Sequence, residues 1–536
     1  MKKIFIFFIL IINFLLGEII NVKDKGVKGD GKTDETEIIQ RIFNEISDGT
    51  SVYFPKGEYI CRAVKVEGKK GITIFGDGIS RIICAKKEHP NTHIFDFIDC
   101  DDLTIRDLIF DTSGADKFGG IGFYGGDRIK VLNNRFTLWP IPTGYTTDRM
   151  AIVFTGCRDI YFMNNIVENL QVESNHIKRA YFLNNKIYNP IHMGFCTATT
   201  TKGTYLEDVI ISNNIIENPN GYAIGVGYDP SYEDIKICRI IISNNIIKCK
   251  GKPDTDNWAI SFGTRPFVKL PSKGYWGDIQ ITNNLIIYNP NGLNSEFGGI
   301  FLCQPKGTNV YFQNIVIKGN QILLNGKVDY KGKVEYKYVD GTPIEKHPQW
   351  REGFGGIYIN GIENSIIEGN FIRGFPVGIH IKRFKNIGIY NNFLINQQEI
   401  GFIAENSEGN NIFTNNFLIG ELETPYKIIG ENETDTFTPP IVKKDKISYI
   451  FDTLYPWPLW EKESKYEVEM IGEIIDFLPS GDCVIFKKED GEVVNLRISP
   501  WKRKYAARAG IKKCKIICER LLPYGEIRVK EIKKIE

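Results

Sequence analysis

The sequence has few cysteines and lacks an internal apolar run of membrane-spanning length. Eleven Cys among 536 residues are too sparse for a disulfide scaffold, and their odd number leaves at least one thiol unpaired. No segment after residue 17 is apolar over the roughly 20 residues that a membrane helix needs. The formal net charge of +2 indicates no partner by bulk charge, while 42% apolar and 25% charged residues are typical of a folded globular protein.

The N-terminal residues predict export. Lys2 and Lys3 precede an apolar run from Ile4 to Ile12 that resumes at Phe14–Leu16, which is the pattern of a secretory signal. Residues 1–17 are therefore expected to be a signal peptide, and the protein to be secreted, periplasmic or at the cell surface. Leu15 and Gly17 make a poor cleavage site, so a retained N-terminal anchor is the alternative.

Asparagine recurs through the middle of the chain, each time followed by apolar residues. The spacings between successive repeats are 31, 20, 29, 31, 39, 36, 50, 22 and 24, measured at Asn134, Asn165, Asn185, Asn214, Asn245, Asn284, Asn320, Asn370, Asn392 and Asn416. A base period of 20–24 residues with larger insertions is typical of a solenoid. We expect these residues to form tight turns, since Asn tolerates left-handed backbone and its amide can bond the next coil.

The segments between the asparagines predict strands. Short runs with alternating large apolar residues recur around Ile121, Ile152, Ile224, Ile260, Ile300, Ile357 and Ile379. Three short strands and three turns fit one period at about 3.3 Å per residue. The sequence therefore predicts an all-β fold, a parallel β-helix over residues 18–425.

Two motifs near the start carry a family resemblance. Lys28–Asp34 reads KGDGKTD, and Val52–Tyr59 reads VYFPKGEY. Residues 21–59 resemble the start of pectate-lyase-superfamily domains of the rhamnogalacturonase and epimerase type, which polygalacturonases and phage tailspikes share. The resemblance implies a right-handed parallel β-helix and fits enzymes and adhesins alike. The polygalacturonase catalytic motifs are not intact in this chain, so no catalytic residue is carried over.

A short helix is predicted between the two motifs. The pattern favours a helix from Asp34 to Ile46, with Asp34 as its cap and Glu37 completing a capping box. Its apolar face would comprise Ile38, Ile39, Ile42, Phe43 and Ile46. Such a helix would cover the open end of the solenoid and its unpaired strand edges.

The C-terminal part reads as a separate small domain. Residues 426–464 are expected to be a linker, and residues 465–536 a barrel that resembles an OB-fold with strand order β-β-β-α-β-β. Between Arg497 and Lys534, thirteen Lys or Arg stand against three Glu, a balance of +10. An acidic polysaccharide or a charged surface is the expected partner of this region, because an exported protein seldom meets nucleic acid.

The longest insertions flank one recurring strand, which predicts a walled groove for a linear polymer. Aromatic and histidine side chains in or beside this groove are the candidate substrate-binding residues, namely Trp139, Tyr124, His192, Trp258, Trp276, Trp350, Tyr358 and His380. Tryptophan faces stack on sugar rings, although burial in the core is the usual alternative.

Acidic residues at a matched offset are the candidate catalytic groups. Asp256 lies four residues before Ile260, Glu296 four before Ile300, and Glu352 five before Ile357. On adjacent coils Asp256 and Glu296 would be about 5 Å apart, near the spacing of retaining glycosidases. The pair could instead hold calcium in a lyase, with Arg265 neutralising a uronate. No other cofactor is expected.

Two functions remain open at this stage. The first is a polysaccharide-cleaving enzyme, a glycoside hydrolase or a lyase, that acts on an acidic polysaccharide in the groove. The alternative is a non-catalytic glycan-binding surface or adhesion protein that uses the solenoid as a rigid scaffold.

Overall fold

The chain was analysed as a computed structural model. It describes residues 18–85, 93–115, 119–138, 150–198, 205–227, 235–250, 257–263, 274–289, 297–303, 311–326, 354–420, 424–429, 435–437, 440–443, 467–477, 483–489, 493–497, 513–521 and 526–534. The predicted signal peptide lies outside these residues.

Three parallel ladders of strands wind along residues 19–443. Ladder A comprises Val64–Glu67, Phe95–Ile98, Ile121–Tyr124, Met150–Thr155, Gln171–Asn175, Phe195–Ala198, Ile224–Val226, Asn257–Gly263, Phe297–Cys303, Phe354–Glu363, Val377–Lys385, Ile400–Glu408 and Thr424–Ile429. Ladder B comprises Ile19–Asn21, Ser51–Tyr53, Thr73–Phe75, Thr104–Arg106, Asp127–Leu132, Arg158–Met163, Ile177–Leu183, Tyr205–Ser212, Ile235–Ser243, Gly274–Thr282, Phe312–Lys318, Ile366–Glu368, Gly388–Tyr390, Ile412–Thr414 and Thr436–Phe437.

Ladder C forms the third side, a sheet of 15 strands. It comprises Asp30–Asp34, Glu58–Cys61, Arg81–Cys84, Ile109–Asp111, Arg135–Thr137, Ile166–Glu168, Lys186–Tyr188, Ile215–Glu217, Ile246–Cys249, Leu285–Tyr288, Gln321–Leu324, Phe371–Arg373, Phe393–Ile395, Phe417–Ile419 and Ile441–Lys443. Each coil runs through ladders A, B and C in turn, and a short 3₁₀ helix, Val22–Lys25, follows the first strand. Parallel crossovers are almost always right-handed, and the arrangement is that of the predicted right-handed parallel β-helix.

The core lies inside the three ladders and consists of aligned apolar side chains. The predicted isoleucines fall in one register of ladder A, where Ile224, Ile260, Ile300, Ile357 and Ile379 pair in succession. All five are fully buried. The strand prediction is therefore confirmed. Two coils, at Val172 and Phe195, stand between Ile152 and Ile224 and carry no matching signature in the sequence.

The asparagine prediction is also confirmed, in a form that we call the asparagine ladder. The first residue of each pair adopts left-handed backbone, as at Asn213 with φ of 58°. The second is buried, and the backbone N–H of each donates to the side-chain oxygen of the next, for example from Asn185 to Asn214 at 2.9 Å. The ladder comprises Asn134, Asn165, Asn185, Asn214, Asn245, Asn284, Asn320, Asn370, Asn392 and Asn416.

The predicted helix covers the N-terminal end of the solenoid but begins later than expected. It spans Thr36–Glu45 and buries Ile39, Ile42 and Phe43. The capping box is wrong, because Glu35 occupies the cap position and its carboxylate accepts from the backbone of Gly29 at 2.9 Å. Asp34 nevertheless accepts from the N–H of the first helical residue, Thr36, at 3.0 Å. On the open edge of ladder A, Gln40 accepts from the Lys65 N–H at 2.7 Å and donates to its carbonyl at 2.8 Å. The side-chain amide thus satisfies an edge strand.

A column of alternating charge runs along the start of ladder B, one residue per coil. This charge column comprises Asp102, Arg128, Asp159, Arg179, Asp208, Arg239 and Asp278, all in left-handed backbone. Arg179 Nη2 donates to Asp159 Oδ2 at 2.7 Å, and Arg239 Nη2 to Asp208 Oδ2 at 2.9 Å. These hydrogen bonds are the largest cause of the lowered pKa of each aspartate.

Acid is expected to remove the contribution of the charge column. Because the folded pKa of Asp159 lies below the unfolded value, the stabilisation is present above about pH 4 and is lost as the pH falls through the folded pKa. We expect Arg179→Met to lower the free energy of unfolding slightly at pH 7, as for exposed ion pairs, and by much less at pH 2. Denaturant unfolding at both pH values measures this. Lys186→Met on ladder C is the control, and an equal loss at both pH values would contradict the assignment.

The solenoid continues past residue 425, where the sequence placed its end. Strands Thr424–Ile429, Thr436–Phe437 and Ile441–Lys443 each pair with the preceding coil. Asp435 takes the place of an asparagine, since its Oδ1 accepts from Asn411 Nδ2 at 2.8 Å. The predicted end at 425 is therefore wrong, because an aspartate can continue such a turn within a polar segment. The chain divides into two compact units after Lys444.

The C-terminal unit contains a small barrel. Its strands are Glu467–Phe477, Cys483–Lys488, Val493–Arg497, Lys513–Leu521 and Glu526–Lys534. They close in the order first, second, third, fifth, fourth, and the first strand pairs with the fourth. All pairs are antiparallel except that of the third and fifth strands. The predicted helix between strands three and four lies outside the described residues, and the ligand of the barrel stays a prediction.

Candidate functional site

The outward face of ladder A is the predicted groove floor, and it carries two polar clusters. Long intervening segments of the solenoid, such as 139–149, 264–273 and 327–353, join the ends of ladder A strands to ladders C and B. Along the strands, one outward row contains Asp96, Gly122, Val153 and Glu173 in successive register. The same row continues through Phe301, Tyr358 and His380.

The first cluster begins with a histidine–carboxylate pair. His93 Nδ1 lies 2.7 Å from Asp96 Oδ1, and the Tyr124 hydroxyl lies 3.5 Å from the same ring nitrogen. His93 is buried at 4% exposure, whereas Tyr124 is 37% exposed. The cluster therefore has a fixed buried end and an accessible phenol.

Gly122 makes the close approach of these groups possible. A Cβ atom at this position would lie 2.5 Å from Asp96 Oδ1 and 2.8 Å from His93 Nδ1. Since such contacts are too short for a methyl group, a larger residue would displace both side chains. Glycine here serves the polar cluster and not a turn.

Glu173 is held by two amides of its own strand. Gln171 Nε2 donates to Glu173 Oε2 at 3.2 Å, and Asn175 Nδ2 donates to Glu173 Oε1 at 3.1 Å. The three residues alternate along Gln171–Asn175, so all lie on the outward face. Two donors to one carboxylate favour its ionised form.

The two amides leave their own oxygens unsatisfied. Gln171 Oε1 and Asn175 Oδ1 are buried and have no hydrogen-bond partner in the structure as described, where the residues are 3% and 7% exposed. An unpaired buried acceptor costs about 1–3 kcal/mol. Two such acceptors around one carboxylate indicate that the position of Glu173 is maintained at a cost in stability, as functional sites commonly are.

The surroundings of Tyr124 raise the pKa of its hydroxyl. Burial is the largest cause that raises its pKa to about 12, and the charges of Asp96 and Glu173 add to the effect. The phenol therefore stays protonated at neutral pH and can donate a hydrogen bond. A proton donor that both carboxylates influence is suited to bind a hydroxyl-rich ligand.

The second cluster lies further along the same face. His380 Nε2 lies 3.0 Å from Glu405 Oε1, and Lys382 Nζ lies 3.3 Å from Glu405 Oε2. The Tyr358 ring packs edge-on against His380 with centroids 5.2 Å apart. The coils that carry Glu173 and His380 are six spacings apart, counted from Val172 to Ile379, which is about 29 Å at 4.8 Å per coil. A linear polymer on this face would pass both clusters.

The structure corrects the two tryptophans that it describes. Trp276 lies on ladder B, is 5% exposed and packs edge-on against Phe312 with centroids 5.6 Å apart, so it does not border the groove. Trp258 lies on ladder A but is 1% exposed, beneath contacts to Phe301 and Tyr358 with centroids at 4.8 and 6.3 Å. Neither ring face is free to stack on a sugar, because each fills a space in packed side chains.

The remaining predicted residues divide into two groups. The outward face holds Tyr124, Tyr358 and His380, as expected. Of these, Tyr358 and His380 are nearly buried, at 4% and 6% exposure. The fourth residue, His192, is partly exposed and lies in the segment before strand Phe195–Ala198. The other predicted site residues lie outside the described residues, and their roles stay predictions: Trp139, Asp256, Arg265, Glu296, Trp350 and Glu352.

Sequence reasoning missed several polar residues of this face. They are His93, Asp96, Gln171, Glu173, Asn175, Lys382 and Glu405. Strands Phe95–Ile98 and Gln171–Asn175 lack the Gly-Ile or Ala-Ile start that marks other ladder A strands. The run of alternating polar residues in Gln171–Asn175 was the available signal.

The described residues indicate neither a metal cluster nor a membrane span. Within the described ranges, no group of three or more His, Cys, Asp or Glu is placed to hold a metal ion. In the same ranges, no helix is both long and apolar enough to cross a membrane. Calcium at Asp256 and Glu296 stays a prediction, since both residues lie outside these ranges.

Comparisons with known proteins support the early resemblance. Residues 19–126 match the family described as rhamnogalacturonase A/epimerase, pectate lyase-like. An exopolygalacturonase from Arabidopsis thaliana is 26% identical over 266 residues, 44% of this chain and 58% of that protein. The matched part is therefore less than two thirds of the length of this relative.

Solved structures with the same general architecture have low identity. A family 28 exopolygalacturonase of Yersinia enterocolitica has a TM-score of 0.47 and 10% identity, with 79% of each chain covered. The surface adhesin PfbA of Streptococcus pneumoniae has a TM-score of 0.45 and 14% identity, with 70% of this chain and 90% of that chain covered. Scores this low add no argument to the fold, which rests on the strand pairing. The strand pairing shows a parallel β-helix, and the match over residues 19–126 supports its resemblance to the pectate-lyase-like superfamily.

Proposed function

We propose that this protein cleaves a polysaccharide that lies along the outward face of ladder A, with Glu173 at the reacting position. The observation that carries the proposal is the carboxylate of Glu173, which two buried amides hold at 3.1 and 3.2 Å. A uronic-acid polymer is the substrate we favour, since the Arabidopsis relative is named an exopolygalacturonase. The protein would act outside the cell, where such polymers occur.

The chemistry follows from the state of the two accessible groups. The ionised Glu173 would accept a proton, from water in a hydrolase or from the sugar in a lyase. Tyr124, whose pKa is raised to about 12, stays protonated at neutral pH and would donate a hydrogen bond to a sugar hydroxyl. Asp96 would hold His93 in place at 2.7 Å.

A glycan-binding protein without catalysis is the second candidate, and one spacing favours it. Asp96 and Glu173 are three coils apart, about 14 Å at 4.8 Å per coil. Glycosidase carboxylates are about 5–9.5 Å apart. Among the described residues these two do not form a catalytic dyad, so the reaction would need a further group such as the predicted Asp256 or Glu296.

A polysaccharide panel tests the proposal. Purified full-length protein is incubated with polygalacturonate, alginate and neutral polymers while reducing ends and absorbance at 235 nm are followed. We expect reducing ends to rise with an acidic polymer; a parallel rise at 235 nm identifies a lyase, and its absence a hydrolase. Binding to an acidic polymer without any new reducing ends would replace the enzyme with the glycan-binding candidate.

A further inference from the structure

A second concave surface lies on ladder C, away from the outward face of ladder A. It is a cleft of about 590 Å³ whose lining includes Arg81, Ile109, Arg135, Thr137, Glu168 and Tyr188. These residues come from four ladder C strands, Arg81–Cys84, Ile109–Asp111, Arg135–Thr137 and Ile166–Glu168, and from their neighbour Lys186–Tyr188. A volume of about 300–1,000 Å³ is usual for a small-molecule site.

Each arginine of the cleft is paired with a carboxylate. Arg135 donates through Nε to Glu168 Oε2 and through Nη2 to Glu168 Oε1, both at 2.9 Å. Arg81 bonds Asp111, which is 4% exposed, and its Nη1 lies 3.5 Å from Glu58 Oε1. Both guanidinium groups are thus already neutralised. The cleft therefore offers hydrogen-bond donors and acceptors in rigid geometry but little net charge for an anion.

An aromatic ring and an aliphatic side chain complete the lining. Tyr188 stands in register with Glu168 on one side and Glu217 on the other, and its ring is partly exposed. Burial raises the pKa of its hydroxyl, and the two glutamates add to the effect, so the phenol remains a donor. The aliphatic residue is Ile109, which is in register with Arg135 on the next coil; Lys186 occupies the same register three coils after Ile109.

We infer that this cleft is a second saccharide-binding site, for a neutral oligosaccharide, on a different ladder from the proposed groove. Vicinal hydroxyl groups of a sugar donate and accept at the spacing of a guanidinium–carboxylate pair, and the apolar ring face packs against a tyrosine. A charged sugar would meet two cations that are already paired and the exposed carboxylate edges beside them. The inference is independent of the proposed function, since no residue of the cleft belongs to ladder A.

Binding measurements on the full-length protein test the inference. Calorimetric titrations use cellohexaose, maltohexaose and xylohexaose as neutral probes and hexagalacturonate as the charged probe. We expect at least one neutral probe to bind, and Tyr188→Ala to raise its Kd at least tenfold. Tyr161→Ala is the matched control, because Tyr161 is stacked on Tyr181 on the outer face of ladder B, with centroids 5.0 Å apart. The control should leave the Kd unchanged.

Two further measurements distinguish binding in the cleft from a folding defect and from binding in the groove. Arg135→Gln should weaken the same neutral probe, and circular dichroism melts should show that both variants fold. Glu173→Gln should leave this Kd unchanged, while Tyr188→Ala should leave any polysaccharide cleavage unchanged. Absence of binding by all three neutral probes, binding of hexagalacturonate alone, or wild-type affinity in Tyr188→Ala would each overturn the inference.

Discussion

Glu173→Gln is expected to reduce polysaccharide cleavage at least about 100-fold, the lower range for loss of a general acid or base. The substitution keeps the shape of the side chain and removes only its charge. It should fold normally, because Gln171 and Asn175 each have an unpartnered oxygen among the described residues that can accept from the new amide after the group rotates. Initial rates on the substrate identified by the panel measure the effect.

The control and the rival assignment are tested together with this variant. Glu217→Gln removes a carboxylate from ladder C, where Glu217 pairs with Lys248 at 2.7 Å, and should leave the rate unchanged. Asp256→Asn tests the acid pair that the sequence predicts. Full activity in Glu173→Gln together with an inactive Asp256→Asn would move the reaction to that pair.

Asn214→Ala is expected to produce the largest loss of stability in the solenoid. The Asn214 side-chain oxygen accepts from the N–H and the amide of Asn185 at 2.9 and 3.0 Å, and its amide donates to the Phe182 carbonyl at 2.9 Å. Alanine would remove the partner of the Asn185 backbone N–H, of one N–H of the Asn185 amide and of the Phe182 carbonyl, at about 1–3 kcal/mol each. The free energy of unfolding should therefore fall by at least about 3 kcal/mol.

The neighbouring residue gives a matched control for this loss. Asn213 is exposed and has φ of 58°, a conformation that glycine adopts without strain. Asn213→Gly should therefore change stability by only a few tenths of a kcal/mol. Thermal melts and limited proteolysis compare the two variants, and equal melting temperatures would show that the buried asparagine is not the stabilising member of the pair.

The coil arrangement could be predicted because buried asparagines repeat at a readable spacing. Asn214 and its equivalents must be asparagine to bond backbone on two coils, so the sequence records each turn. The sequence indicates less directly whether a side chain points outward or into the core. Trp276 stands beside a long insertion, yet strand alternation on ladder B directs it into the core at 5% exposure.

The candidate site was harder to predict, because register across coils decides which residues meet. His93 and Tyr124 are 31 residues apart and meet only because Gly122 lies between them in space. Glu173 lies on a coil that starts with Gln171 and Val172, without the small residue that marks most ladder A strands. Glu173 and the two amides that bind it are close in the sequence. The residues that lie beside Glu173 on neighbouring coils are distant in the sequence.

The asparagine ladder has a direction, so the two ends of the solenoid are not equivalent. Each backbone N–H is satisfied by the side chain of the coil that follows it, from Asn134 towards Asn416. A nascent chain leaving the ribosome N-terminus first would therefore carry one incomplete turn at its growing tip, and each newly released coil would complete the turn before it. Loss of a coil at the C-terminal end would leave a backbone N–H unpaired at the exposed turn, whereas loss of a coil at the N-terminal end would leave a side-chain oxygen unpaired.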